Sequence, residues 1–219
     1  MSETRSSAPK SSAGSMNERP GVVDWSIAAR PLDGESESGD RGVVVVDGDA
    51  ALVAAIDGLG HGSEAARAAA PVAEIVRAFA AEPLVSLALR CHEALRHSRG
   101  AAMSLARFCA RDDTVTWIGV GNVEGRLLHT DRSGSVSVRS LVPARAIVGD
   151  HLPQLEASTL AVQRGDIAVL ATDGVDAAFA DSLQPTGTAD ELAARILAEH
   201  SKVTDDALVV VARYIGTPS

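Results

Sequence analysis

Large aromatic side chains are nearly missing from this chain. Two Trp, one Tyr and three Phe amount to 3% of the residues, so a core must be assembled mainly from Val, Leu, Ile and Ala. Cysteine is almost as scarce. Cys91 and Cys109 lack the spacing of metal ligands and read as buried thiols in a reducing compartment. No apolar run approaches transmembrane length, and the N-terminus has no signal-peptide core, which together predict a cytoplasmic protein. Positive charge is short as well. A net charge of −9 disfavours nucleic-acid binding, which depends on Lys and Arg neutralising phosphates, and disfavours an anionic membrane surface.

What remains is ample for one globular domain at 219 residues. Residues 1–20 are rich in Ser, Ala, Lys and Arg and predict a disordered tail, leaving 21–216 as the folded domain. Val22–Ala29 reads as a strand. Val43–Val46 and Ala51–Ile56 are apolar runs joined by Asp47-Gly48-Asp49, a hairpin signal that assigns both aspartates to turn chemistry. A helix over Ser63–Ala81 would carry Ala68, Val72, Ile75 and Phe79 on its apolar stripe, with Pro71 kinking or dividing it. A second helix, Pro83–Ser98, lines up Leu84, Leu87, Cys91 and Leu95, and its His92 and His97 read as surface residues. Ala101–Cys109, Thr114–Val120, Gly125–His129 and Val136–Leu141 read as a four-stranded meander, continued by Leu155–Val162 and Ile167–Ala171. A short helix after Asp173, a longer one over Thr188–His200 and a strand over Ala207–Tyr214 complete the chain. Helices and strands are segregated, so the class is α+β, with packed sheets covered by helices.

Four aspartates stand out in this order of elements. Asp57 ends an apolar run and opens Asp57-Gly58-Leu59-Gly60-His61-Gly62, whose glycines let backbone approach a bound group closely. Asp40, Asp173 and Asp205 each adjoin a short apolar run in the same way. Four converging carboxylates would raise one another's pKa, and divalent cations reverse that cost; all-oxygen ligands suit Mg²⁺ or Mn²⁺. Asp-Gly pairs are also common turns. Residue chemistry alone leaves the metal site and well-placed turns as open alternatives.

The ordered strings Ser38-Gly39-Asp40, Asp57-Gly58-Leu59-Gly60, Thr172-Asp173-Gly174 and Asp205-Asp206 resemble the metal-dependent protein phosphatase (PPM) family. Arg90-Cys91-His92-Glu93-Ala94-Leu95 leading to Arg99-Gly100-Ala101-Ala102, together with Gly119-Val120-Gly121-Asn122-Val123, resemble its compact SpoIIE-like branch. The likeness runs from about Val22 to Tyr214. It implies an α-β-β-α sandwich of two antiparallel sheets flanked by helices, with two Mn²⁺ or Mg²⁺ ions between the sheet ends. By position, Asp57 would bridge both ions and the Gly58 carbonyl would complete one shell. Asp173 and Asp205 would hold one ion, with Asp206 the alternative to Asp205, and Asp40 would help with the other. The family's N-terminal phosphate-gripping arginine has no clear match; Arg41 reads either as its substitute or as an exposed strand-edge residue. His61 would either donate a proton to the leaving serine oxygen or hydrogen-bond a ligand from behind. The implied activity is serine/threonine protein phosphatase, with phosphorylated STAS-domain regulators of stressosome or anti-sigma-antagonist type as partners. The alternative is an inactive binding module that keeps the fold.

Overall fold

The computed structural model describes residues 10–13, 21–181 and 183–217. In chain order the elements are β1 (Lys10–Ala13), β2 (Val23–Arg30), β3 (Asp40–Asp47), β4 (Ala50–Gly58), α1 (Gly62–Ala78), α2 (Leu84–Ala94), β5 (Ala101–Cys109), β6 (Thr114–Val120), β7 (Glu124–Thr130), β8 (Val136–Leu141), β9 (Ser158–Ala161), β10 (Ile167–Ala171), a 3-10 turn (Ala177–Asp181), α3 (Ala189–His200) and β11 (Ala207–Tyr214). One sheet has the order β1-β2-β11-β10-β7-β8 and the other β3-β4-β5-β6-β9. Neighbouring strands in both run antiparallel.

Three apolar clusters explain the layering. The first lies between the sheets and includes Val53, Ala55, Phe108, Leu170, Val210 and Tyr214. The second fills the space between the β3–β6 sheet and helices α1 and α2, around Ile56, Val72, Leu87 and Met103. The third packs α3 on the other sheet through Leu192, Ile196, Val209 and Val211. Both sheets are therefore covered on both faces, which is why β4 and β11 are apolar without alternation. The result is the expected α-β-β-α sandwich. No helix among the described residues is long and apolar enough to cross a membrane.

Local chemistry fixes several boundaries. Asp47 pairs with Ala50, so Gly48-Asp49 is the two-residue turn between β3 and β4, and Gly48 takes the positive φ of 57° that such a turn requires. Thr188 caps α3 and exchanges hydrogen bonds with Glu191 in a capping box.

Several expectations change. The meander is split: β5 and β6 stay in one sheet while β7 and β8 belong to the other. Period-two patterning reports which residues face a core but not which strand lies alongside. The strand expected over 155–162 shortens to β9 at a sheet edge. Pro71 lies inside an undivided α1, and Phe79 falls just past its end, exposed, under the Arg90 guanidinium at 3.9 Å. His92 is half-buried, not a surface residue, and its Nδ1 accepts the Gly149 N–H at 3.0 Å. Of the tail, 1–9 and 14–20 lie outside the described residues, and Lys10–Ala13 pairs with β2 as an edge strand.

Candidate metal centre

The β3–β4 register sets Asp40 directly opposite Asp57. Asp57 in turn pairs with Ala102 of β5 and shares the face of Ala55, which points between the sheets. Two carboxylates thus lie side by side at the sheet end, only 4% and 8% exposed. The other sheet contributes from the facing end. Asp173 follows β10 and Asp205 precedes β11, and these strands are hydrogen-bonded neighbours, so a turn of chain at each brings both aspartates to one place.

Thr172 joins the two sheets. Its hydroxyl donates to Asp40 Oδ2 at 2.7 Å and accepts the Leu208 N–H at 2.9 Å. Asp206 is buried, and its two oxygens accept the N–H groups of Leu32 and Gly39, both at 2.8 Å. That carboxylate clasps the β2–β3 loop immediately before Asp40. Asp205 is half-buried and, among the described residues, accepts the Asp206 N–H at 2.9 Å. Asp173 is exposed; its Oδ2 accepts from the Asn122 amide at 2.5 Å, and its carbonyl accepts from Lys202 Nζ at 2.6 Å.

Glycine permits the crowding. A Cβ on Gly58 would stand 2.1 Å from the Ala65 carbonyl, and one on Gly174 would stand 1.8 Å from that of Asp206. Strand, loop and helix can therefore close around the carboxylates only with hydrogen at these positions. Gly60 and Gly62 have φ of 102° and 67°, which lets the chain reverse from β4 into α1. His61 occupies the N-cap of α1 without a side-chain capping bond. It is exposed, with Nδ1 3.0 Å from Glu35 Oε1. Arg41 is spent locally, donating to the carbonyls of Ser38 at 2.6 Å and Asp40 at 3.0 Å.

The carboxyl groups also feel one another's charge. Burial, then the charges of Asp173, Asp205 and Asp206 and a hydrogen bond with Asp173, push the Asp57 carboxyl up to about 8. Burial first, then Asp57, holds Asp40 well above the usual carboxylate range. Asp205 is also raised, by burial ahead of Asp173 and Asp206. Among the described residues no three acidic, histidine or cysteine side chains already close on one point. Asp40, Asp173 and Asp205 turn at least one oxygen to Thr172, Asn122 and the Asp206 amide instead. The donor set nevertheless fits hard divalent cations: it is all oxygen, crowded and partly desolvated, and its few hydrogen bonds leave the raised carboxyl pKa values uncorrected.

The four predicted carboxylates and Gly58 thus lie in one neighbourhood where the carboxylates feel one another's charge, without already closing on one point, and His61 is at the rim. Thr172, Asn122, Lys202 and Glu35 are neighbours that sequence reading did not single out. Only Thr172 and Asn122 stood within quoted strings, and nothing in the strings says what either side chain touches.

A family model described as Stage II sporulation protein E (SpoIIE) matches residues 47–215. The phosphoserine phosphatase RsbX of Bacillus subtilis (strain 168) is 27% identical over 144 residues, 66% of this chain and 70% of that protein. RsbX solved in complex with magnesium superposes with a TM-score of 0.81 at 21% identity, covering 94% of this chain and all of that one (100%). A solved chain described under the bacterial stressosome, a modular system adapted to control secondary messenger signaling, is 30% identical. Its TM-score is 0.79, over 87% of this chain and 99% of that one. The catalytic domain of the serine/threonine protein phosphatase PstP, in complex with two manganese ions, shares the fold at a TM-score of 0.65. It is 17% identical and covers 89% of this chain and 99% of that domain.

Proposed function

The chain belongs to the SpoIIE family of PP2C-type serine/threonine protein phosphatases, and from that premise we propose that it hydrolyses phosphoserine or phosphothreonine on STAS-domain regulatory proteins of a bacterial partner-switching system. The observation that carries the reading is the cross-strand pair Asp40–Asp57 facing Asp173 and Asp205 from the other sheet. The phosphatase domain spans 21–216, and its setting is the cytoplasm. The substrate class is supported by the likeness to RsbX, a phosphoserine phosphatase, and to a stressosome chain.

Asp40, Asp57, Asp173, Asp205 and the Gly58 carbonyl would hold two Mg²⁺ or Mn²⁺ ions. When bound, such ions supply a water nucleophile at neutral pH and neutralise charge on the transferring phosphoryl group. Asp57, which feels Asp173, Asp205 and Asp206 together, would be the residue on which both ions depend. Asp205 is favoured over its neighbour Asp206 as the ligand, because each Asp206 oxygen already accepts a backbone N–H of the β2–β3 loop. Water adds to phosphorus, the phosphorus–oxygen bond to the serine or threonine breaks, and that oxygen takes a proton. Glu35 at Nδ1 of His61 fixes the ring and leaves Nε2 as the atom that delivers this proton. An inactive binding module is the weaker reading, since every carboxylate the chemistry requires is present.

Purified protein incubated with an aryl phosphate and with a phosphorylated STAS-domain protein should release phosphate only with Mn²⁺ or Mg²⁺. Asp57→Asn should reduce release to background. Equal rates in chelator, or in the variant, would overturn the reading.

A further inference from the structure

Asn122 has no assigned task, yet its backbone is among the most constrained at the site. It lies where the chain leaves one sheet for the other, between β6 and β7. On one side, Gly121 has φ of 93° and packs so closely that a Cβ there would stand 2.4 Å from that of Ala102, the cross-strand partner of Asp57. The Gly121 N–H donates to the Ala144 carbonyl at 2.9 Å. On the other side, Val123 is fully buried, and its carbonyl accepts the buried Ser104 hydroxyl at 2.7 Å. Residue 122 is therefore fixed relative to the strand pair carrying Asp57. Its own side chain is exposed and, among the described residues, makes one bond, to Asp173 Oδ2.

We propose that Asn122 is a positioning residue: its amide grips one oxygen of Asp173 and so sets where the other oxygen stands relative to Asp57. The inference rests on the metal-site reading above. Asp173 needs such a strut more than its partners do. Asp40 and Asp57 are locked by a β ladder, whereas Asp173 is exposed and sits beyond the last residue of β10. A neutral donor suits the task, because a lysine or arginine there would compete with cations for the carboxylate, and an aspartate would add to the crowding. Groups that orient a ligand from behind typically contribute about 10- to 100-fold in metal affinity.

The test measures Mn²⁺-dependent rise in Tm on the full chain, alongside aryl phosphate turnover. Asn122→Ala and Asn122→Leu should each raise the Mn²⁺ concentration for half-maximal stabilisation by about tenfold. Their metal-free Tm should stay within about 2 °C of wild type, as expected of an exposed side chain. Turnover should fall at limiting Mn²⁺ and recover when Mn²⁺ is raised, which a merely structural defect would not do. Half-saturation unchanged in both variants, while Asp173→Asn loses the Mn²⁺ response, overturns the role of Asn122 and leaves the metal site standing. A wild type that binds Mn²⁺ but releases phosphate from nothing sinks the phosphatase reading, and the Mn²⁺ titration still decides Asn122.

Discussion

Asp205 and Asp206 are chemically identical neighbours, and the chain entering β11 turns them to different tasks. Asp205 lies in the bend before β11 and Asp206 just after it, so one carboxylate is half-buried beside Asp173 while the other goes under the β2–β3 loop. Sequence could place a carboxylate there but not choose between the two. Charge-assisted hydrogen bonds contribute about 1.5–3 kcal/mol each, and an orphaned donor costs more than the bond gained. Asp206→Ala should therefore lower unfolding free energy by about 3 kcal/mol in urea titration. Asp205→Ala should leave metal-free stability within about 1 kcal/mol of wild type, because it removes a carboxylate from a crowded cluster, and should abolish the Mn²⁺ response. The reverse ranking would exchange their roles. Arg41 illustrates the same limit: a cation beside Asp40 in sequence is tied to backbone carbonyls in space.

At the scale of elements, the joint between β4 and α1 holds the site in register. Gly58 donates to the Gly39 carbonyl at 3.2 Å and lies against the Ala65 carbonyl of α1. Strand end, loop and helix thus meet with no room for a methyl group. Gly58→Ala must push α1 off the strand, and overpacking of this kind costs about 3 kcal/mol. Thermal denaturation should show that loss together with a weakened Mn²⁺ response; an unchanged Tm would mean the joint yields freely. Patterning identified this joint because it is local: an apolar run, three glycines and an alanine-rich helix follow one another directly. The crossing from β6 to β7 escaped it. Gly121-Asn122 looks like any hairpin turn, and only packing on Ala102 and Ser104 shows that the chain changes sheets.

For the whole molecule, the consequence is a stability that depends on pH and metal together. Asp57 holds its proton up to about 8 in the folded chain, against an ordinary value of 3.8. Between those values the folded state binds more protons than the unfolded state, so this group's contribution to stability falls as pH rises. Asp40 and Asp205 shift in the same direction. In chelator, Tm should decline as pH is raised from about 5 to 8.5, through the range where the Asp57 proton is lost. Added Mn²⁺ should restore more at the upper end, where it no longer displaces protons. A metal-free Tm that climbs steadily to pH 8.5 would contradict the crowding of these carboxylates.

The sequence by itself determined the α+β class and most strands and helices, and it marked four aspartates and a glycine as candidates, because hydrophobic period, turn chemistry and strand-end motifs are local properties of the chain. The tertiary structure decided how the strands divide between two sheets, that Asp206 clasps the β2–β3 loop, and that Thr172 and Asn122 hydrogen-bond Asp40 and Asp173. Those choices depend on contacts between segments far apart in sequence, such as Asp40 with Thr172 and Asn122 with Asp173, and no local pattern encodes which distant partner a side chain will meet.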